Sequence, residues 1–188
     1  METQQQPTEN QSNVREGNTY IKSAMTFGLI TGILIVIYTL LLYMTDNYVS
    51  KNTILGLLQW IILTGGLYYG IKTYRDQYSD GYITYGRSLG LGVLISVFVG
   101  VILGIFTYIL YTLIDPGLLE KSIKIAQEEM LKAGMSEERV ETATEMQRTF
   151  TSPTIMLFSS VFSFAFIGTI ISLIVSIFTK NEKPIFNQ

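Results

Sequence analysis

The stretch SLGLGVLISVFVGVILGIFTYILYTLI, residues 88–114, carries no charged side chain. A helix rises about 1.5 Å per residue and a bilayer core is about 30 Å thick, so roughly 20 apolar residues suffice to cross it. Three other uncharged runs cover residues 23–45, 52–71 and 149–179. The sequence therefore predicts an all-α integral membrane protein with four transmembrane helices. The predicted spans are about residues 24–44, 53–71, 88–114 and 154–178.

Composition excludes several kinds of chemistry. The chain of 188 residues is 48% hydrophobic and only 15% charged, which is too apolar for an ordinary soluble domain, and we expect one membrane domain over residues 21–180. It has neither cysteine nor histidine, so thiolate nucleophiles, disulfides and the commonest metal ligand are excluded. A net charge of -2 provides no basic field for nucleic acid. We expect no catalytic residue, no metal or cofactor and no nucleic-acid partner.

Basic residues near the ends of the runs predict the orientation. One side carries Lys22, Lys72, Arg75, Arg87, Lys180 and Lys183, whereas the other carries only Lys51 and Arg148 within five residues of the runs. The positive-inside rule then places both termini and the 72–87 loop in the cytoplasm, and the 115–153 loop on the periplasmic side. The polar tail, residues 1–20, has almost nothing to bury and is expected to be disordered. Residues 181–188 form the C-terminal tail.

The loop between the third and fourth spans, residues 115–153, is expected to form a helical hairpin. Asp115 and Pro116 are typical of a helix start, Gly134 of a helix end, and Ser136 of a second helix cap. The first helix has an apolar stripe at Leu119, Ile123, Ala126 and Met130. This stripe either docks on a partner or on lipid headgroups, or packs on the second helix of the hairpin or the mouth of the bundle. We favour the second alternative, because amphipathic helices usually bury their stripe within their own fold.

Small residues recur at every fourth position in three of the spans. The third span has Ser88, Gly92, Ser96, Gly100 and Gly104, the first has Ala24, Gly28 and Gly32, and the fourth has Gly168, Ser172 and Ser176. In lipid, such ridges let helices approach closely and supply much of their association. We favour packing within one bundle over contacts between two copies, although spacing alone leaves both open.

No Asp, Glu, Lys, Arg or His lies in the four apolar runs. Such groups are costly in a bilayer and usually mark transport or catalysis. Gln59 is the only side-chain amide deep in a span, and one interhelical hydrogen bond is its simplest role. Transport by buried carboxylates and hydrolysis within the membrane are therefore not expected.

Six tyrosines lie between Tyr68 and Tyr85, around the loop that joins the second and third spans. An aromatic belt at the headgroup level is the favoured interpretation. The alternative is a small polar site that binds an anionic lipid headgroup or a partner loop, since arginine suits phosphate through two parallel hydrogen bonds. The residues of this candidate site are Tyr74, Arg75, Asp76, Asp80 and Arg87. Two carboxylates alone, Asp76 and Asp80, give only a weak metal-site pattern.

The order of several motifs resembles a known family. The motifs are Tyr74-Arg75-Asp76, the DGYITYGRSL segment at residues 80–89, Ile114-Asp115-Pro116, Ser152-Pro153 and a last span that contains Gly168. Over about residues 22–182 the chain resembles the domain-of-unknown-function family 4199, small four-helix membrane proteins found mainly in Bacteroidota. The resemblance implies an inner-membrane location and transfers no catalytic residue.

Two functions follow as expectations. The first is a non-catalytic accessory or scaffold subunit of a membrane complex, in contact with membrane lipids and with a membrane-protein partner or a second copy. The alternative is binding or transport of a lipid-linked substrate beside a polyprenyl-phosphate glycosyltransferase, by analogy with other small four-helix membrane proteins. A wide cavity between helices that reaches Arg75 and Arg87 would favour the alternative.

Overall fold

Six α-helices account for most of the residues that the structure describes. The computed structural model describes residues 9–48 and 53–183. The helices are α1 (Glu9–Met44), α2 (Thr53–Tyr78), α3 (Tyr85–Ile109), α4 (Leu118–Lys132), α5 (Glu137–Phe150) and α6 (Pro153–Thr179). Helix α3 ends in a π-helical segment, Leu110–Ile114. The described residues are helical with no strand, as the all-α prediction requires, and α1, α2, α3 and α6 are long and apolar enough to cross a membrane.

Two helices extend further than the sequence predicts. Helix α1 begins at Glu9 and thus includes part of the tail predicted to be disordered, while residues 1–8 and 184–188 lie outside the described part. Helix α2 continues to Tyr78, which shortens the predicted 72–87 loop to the turn 79–84. The physical reason is that a nucleated helix gains one hydrogen bond for each residue it adds, even through polar sequence.

Helix α3 lies at the centre of the bundle. It packs against α1, α2 and α6, with its most extensive interface on α6, and it is the most buried of the four long helices. Helix α2 also contacts α1 and α6. The main core contains Leu63, Leu67, Leu91, Ile95 and Val99, all of them fully buried. Because α3 is central, the helices α1, α2 and α6 must each approach it closely.

Small residues form the part of the α3–α6 interface that lies near the start of α3. A Cβ atom added at Gly92 would collide with the side chain of Ser172, and one added at Gly168 would collide with the side chain of Ser96. The Ser96 hydroxyl is satisfied within its own helix, where it donates to the carbonyl of Gly92 at 2.9 Å. Each small residue thus faces another small residue across the interface.

The same ridge continues toward the other end of α3. A Cβ at Gly100 would lie 2.9 Å from Cα of Val161, and one at Gly104 would lie 2.6 Å from the carbonyl oxygen of Leu157. Both obstacles are backbone atoms, which cannot rotate away. The Ser160 hydroxyl donates across the interface to the carbonyl of Gly100 at 2.9 Å. Such close contacts are the packing mode expected for helices in lipid.

Helix α1 approaches α3 through its own glycines. A Cβ at Gly28 would meet the side chain of Phe98 at 2.5 Å, and one at Gly32 would meet Ile102 at 2.7 Å. Here a glycine on α1 accommodates a large side chain on α3. The ridge residues singled out in the sequence thus lie at contacts within one chain.

The link from α3 to α4 differs from the predicted helix start. The Oδ1 of Asp115 accepts from the backbone N–H of Gly117 at 3.1 Å, which is the contact of a capping side chain, and the helix α4 begins slightly later, at Leu118. The N–H of Asp115 donates to the carbonyl of Leu110 at 2.8 Å and closes the π-helical segment just before this link. On the other side, Tyr43 donates to Oδ2 of Asp115 at 3.3 Å and connects this link to α1.

Helices α4 and α5 pack on each other as a hairpin. Gln127 donates to the Thr144 hydroxyl at 3.1 Å, which fixes the faces that meet. Ile123 and Val140, one turn away on the same two faces, are both buried. Gly134 ends α4 with φ +83°, a conformation that suits glycine. Of the apolar stripe of α4, Ile123 is thus buried, Leu119 packs at the end of the bundle, and Met130 lines an open groove.

Replacement of Gly168 by alanine tests the α3–α6 interface. We expect Gly168→Ala to destabilise the bundle by about 1–3 kcal/mol, because the added methyl group collides with Ser96. Adding Ser96→Gly should restore most of the loss, since it removes the colliding side chain. Gly56→Ala is the control, because a Cβ there meets nothing within 4 Å. Thermal unfolding of the purified protein in detergent measures all three, and equal Tm values for Gly168→Ala and Gly56→Ala would contradict the interface.

Candidate functional site

The five residues of the predicted polar site lie at one end of the bundle. Tyr74, Arg75 and Asp76 belong to the end of α2, Asp80 to the turn, and Arg87 to the start of α3. They form two separate groups of contacts, one around each arginine.

Arg87 is the centre of the first group. Its Nη2 donates to the Tyr74 hydroxyl at 3.0 Å and to Oε2 of Glu16 at 3.1 Å. Its guanidinium also lies over the rings of Tyr20 and Tyr74, 5.8 and 5.9 Å from their centroids, where a cation is attracted by the aromatic face. The Tyr20 hydroxyl in turn donates to the backbone carbonyl of Arg87 at 2.9 Å. Arg87 thereby connects α1, α2 and α3.

Arg75 forms the second group with α6. Its Nη1 donates at 3.0 Å to the carbonyl of Thr179, the last residue of α6, and its Nε lies 2.7 Å from Oδ1 of Asp76. The final carbonyls of a helix lack partners within the helix, and its C-terminal end favours a positive charge. Arg75 therefore caps α6 from α2, and its side chain is only 19% exposed.

The turn between α2 and α3 is joined to the residues that follow α6. Ile83 and Asn181 exchange two backbone hydrogen bonds of 2.8 and 3.0 Å. The Asn181 side chain donates to the carbonyl of Gly81 at 2.8 Å, and the Ser88 and Thr179 hydroxyls share a buried hydrogen bond of 2.7 Å. These contacts fix the position of the turn against the end of α6.

Several members of this cluster were not predicted from the sequence. Glu16, Tyr20, Thr179 and Asn181 were not among the predicted site residues, and Glu16 falls in the stretch predicted to be disordered. Their partners lie 67 to 104 residues away along the chain, so no local pattern marks them.

The contacts decide what the cluster can do chemically. Both arginines are engaged by groups of this chain, and Asp76 faces Arg75, so the cluster as it stands joins helices. A cleft of about 340 Å³ beside the turn is lined by acids and bases together, including Asp80 and Lys183. Within residues 9–48 and 53–183, no three carboxylates come together as a metal would need.

Two larger apolar grooves lie elsewhere. One, of about 850 Å³, runs between α2 and α6, from Leu57 to Tyr68 on α2 and from Ile174 to Phe178 on α6. Its lining includes neither Arg75 nor Arg87. The second, of about 680 Å³, follows α4 and α5 and is lined by methionines and Phe150.

The end of the bundle opposite the arginine cluster is also closed by aromatic contacts. Tyr48 lies against Tyr111, with ring centroids 6.4 Å apart. Burial is the main cause that raises the pKa of the Tyr48 phenol above its ordinary range. Lys121 of α4 lies 3.6 Å from Asp46, between the hairpin and the end of α1.

Four long apolar helices, of which α3 is central and the other three pack around it, indicate a multi-pass membrane protein. The chain belongs to the family described as protein of unknown function DUF4199, which matches residues 26–181 and confirms the resemblance seen in the sequence. No curated protein and no solved structure gives a match.

Removal of the Arg75 guanidinium tests its role at the end of α6. We expect Arg75→Met to destabilise the bundle by about 1.5–3 kcal/mol, because a hydrogen bond from a charged donor is lost and the Thr179 carbonyl is left without this partner. Lys22→Met is the control, since it removes a positive charge from an exposed position on α1. Thermal unfolding in detergent compares them, and equal Tm values for the two variants would show that Arg75 does not cap α6.

Proposed function

We propose that this protein is a non-catalytic accessory or scaffold subunit of a complex in the bacterial inner membrane. In this proposal both termini and the 79–84 turn face the cytoplasm, and the α4–α5 hairpin lies in the periplasm. The observation that carries the proposal is an apolar surface on the hairpin that the described residues leave exposed.

The hairpin presents this surface along one side. Met135, Met146 and Phe150 are 38%, 60% and 64% exposed, and they line the second groove together with Met130. The surface lies outside the four long apolar helices. Methionine is flexible and polarisable, and it is frequent on surfaces that adapt to a partner.

The charged residues around this surface indicate what kind of partner would fit it. The segment 115–153 contains eight acidic and five basic residues, and Glu138 and Arg139 border the groove. A fitting partner therefore offers an apolar side chain flanked mainly by basic residues. Another membrane protein with a short periplasmic segment meets this description.

The side chains present in the sequence support the proposal that the protein is not catalytic. The sequence has no histidine and no cysteine. Its four apolar runs, residues 23–45, 52–71, 88–114 and 149–179, contain no Asp, Glu, Lys or Arg. The two arginines most suited to phosphate are bound to Glu16, Tyr74, Asp76 and the end of α6. These contacts support a structural role for the polar cluster.

A second candidate function is binding or transport of a lipid-linked substrate. The α2–α6 groove favours it, because the groove is apolar and large. However, a substrate carrier of this kind was expected to show a cavity that reaches Arg75 and Arg87, and the lining of the groove stops short of both. We therefore place the accessory role first.

Site-specific photo-crosslinking tests the docking surface. A photoreactive amino acid at Met146 in native membranes should give an adduct with one protein of defined mass, because this side chain lies in the exposed groove. The same probe at Leu131 is the control, since Leu131 is also apolar and 46% exposed but lines the opposite side of the hairpin. Adducts with lipid alone at Met146, or the same adducts from both positions, would contradict a partner at this surface.

A further inference from the structure

We propose that the groove between α2 and α6 holds one acyl chain of an anionic phospholipid, whose phosphate lies beside Lys72. This site is independent of the hairpin surface, and it needs no protein partner. The length of the groove, the nature of its walls and the charge at one end all fit such a lipid.

The length of the groove matches one leaflet. On α2 the groove extends from Leu57 to Tyr68, a rise of about 16 Å at 1.5 Å per residue. Half of a hydrocarbon core of about 30 Å is about 15 Å. A single acyl chain that enters from one headgroup layer therefore fits along the groove, and its volume of about 850 Å³ leaves ample room.

The walls of the groove are apolar and accessible from the bilayer. Ile61 and Phe178, on opposite sides, are 64% and 72% exposed. The Thr64 hydroxyl does not demand a polar ligand, because it donates to the carbonyl of Trp60 at 2.8 Å within its own helix. Gly65 keeps the groove open between these walls: a Cβ added there would meet nothing within 4 Å.

Basic residues continue the stripe beyond the groove. Tyr68, Lys72 and Arg75 lie at helical spacings of four and three residues, so they share one face of α2. The Lys72 ammonium is 6.0 Å from the centroid of the Tyr68 ring, at the end of the groove. A tyrosine followed by a cation at the end of an apolar groove is the order of groups that an acyl chain, its ester region and its phosphate require.

The balance of charge at this end is positive. Arg75 contacts the end of α6, and the exposed Lys180 follows that end directly. Asp76 offsets the positive charge of Arg75 by pairing with it, so the charges of Lys72 and Lys180 remain. An anionic headgroup is therefore favoured over a neutral one, by about 1 kcal/mol for each basic residue near the surface.

Lipid retention by the full-length protein tests the site. The protein is purified in detergent, mixed with phosphatidylglycerol or phosphatidylcholine of identical acyl chains, and examined by native mass spectrometry. We expect the wild type to retain phosphatidylglycerol about 30-fold more than phosphatidylcholine, as the two basic residues Lys72 and Lys180 would give. Lys72→Gln should lower this preference about fivefold, the share of one basic residue, while Gly65→Leu should reduce the retention of both lipids because it fills the groove.

Gly56→Leu is the matched control. Gly56 lies on the same helix, is exposed and has open space around it, yet it does not line the groove. It should retain lipid as the wild type does. If Gly65→Leu does not fold, Lys72→Gln decides alone, because its side chain is exposed. Equal retention of the two lipids by the wild type, equal behaviour of Gly65→Leu and Gly56→Leu, or a stable dimer that buries the groove would overturn the proposal.

Discussion

Four long helices are apolar enough to cross a bilayer, where backbone hydrogen bonds must be satisfied without water, and the rest of the structure is consistent with this constraint. In a hydrocarbon medium an unpaired N–H or C=O costs several kcal/mol, so a spanning segment must be helical throughout. The four apolar runs meet the requirement with single helices of 25 to 36 residues. Because lipid tails are as apolar as leucine, these helices associate through close packing rather than through burial from water.

Close packing in turn determines the arrangement of the helices. The glycines and serines of α3 allow α6 to approach until backbone atoms meet, as the space around Gly100 and Gly104 shows. The polar residues then act at the ends, where water is available again. Arg87 connects the three N-terminal long helices, and Arg75 connects α2 to α6. Packing in the middle and charge at one end thus stabilise the same bundle.

The sequence was sufficient for the features that arise from local composition. Uncharged length predicted the four helices, glycine spacing predicted the small-residue ridges, and Gly134 marked the end of α4. The family followed from short motifs spread over most of the chain. Each of these signals is contained in neighbouring residues.

The candidate site was predicted only in part, because its contacts are distant along the chain. Tyr74 and Arg87 were named together, yet nothing local indicated that Glu16 would complete their group from a polar stretch. Nor did the sequence indicate that Arg75 would reach the carbonyl of Thr179, 104 residues away. The pairing of Ile83 with Asn181 is of the same kind. A charge pattern shows that residues can bind, but only the fold shows which partner they find.

The most direct test of the account is the side of the membrane on which each end of the bundle lies. The chain has no cysteine, so single cysteines at Gly17, Lys132 and Glu182 can be labelled with a membrane-impermeant thiol reagent in right-side-out and inverted vesicles. Four crossings predict that Gly17→Cys and Glu182→Cys react from one side only, and Lys132→Cys from the opposite side only. Reaction of Lys132→Cys and Glu182→Cys from the same side, or of Gly17→Cys and Glu182→Cys from opposite sides, would contradict the four-span membrane bundle.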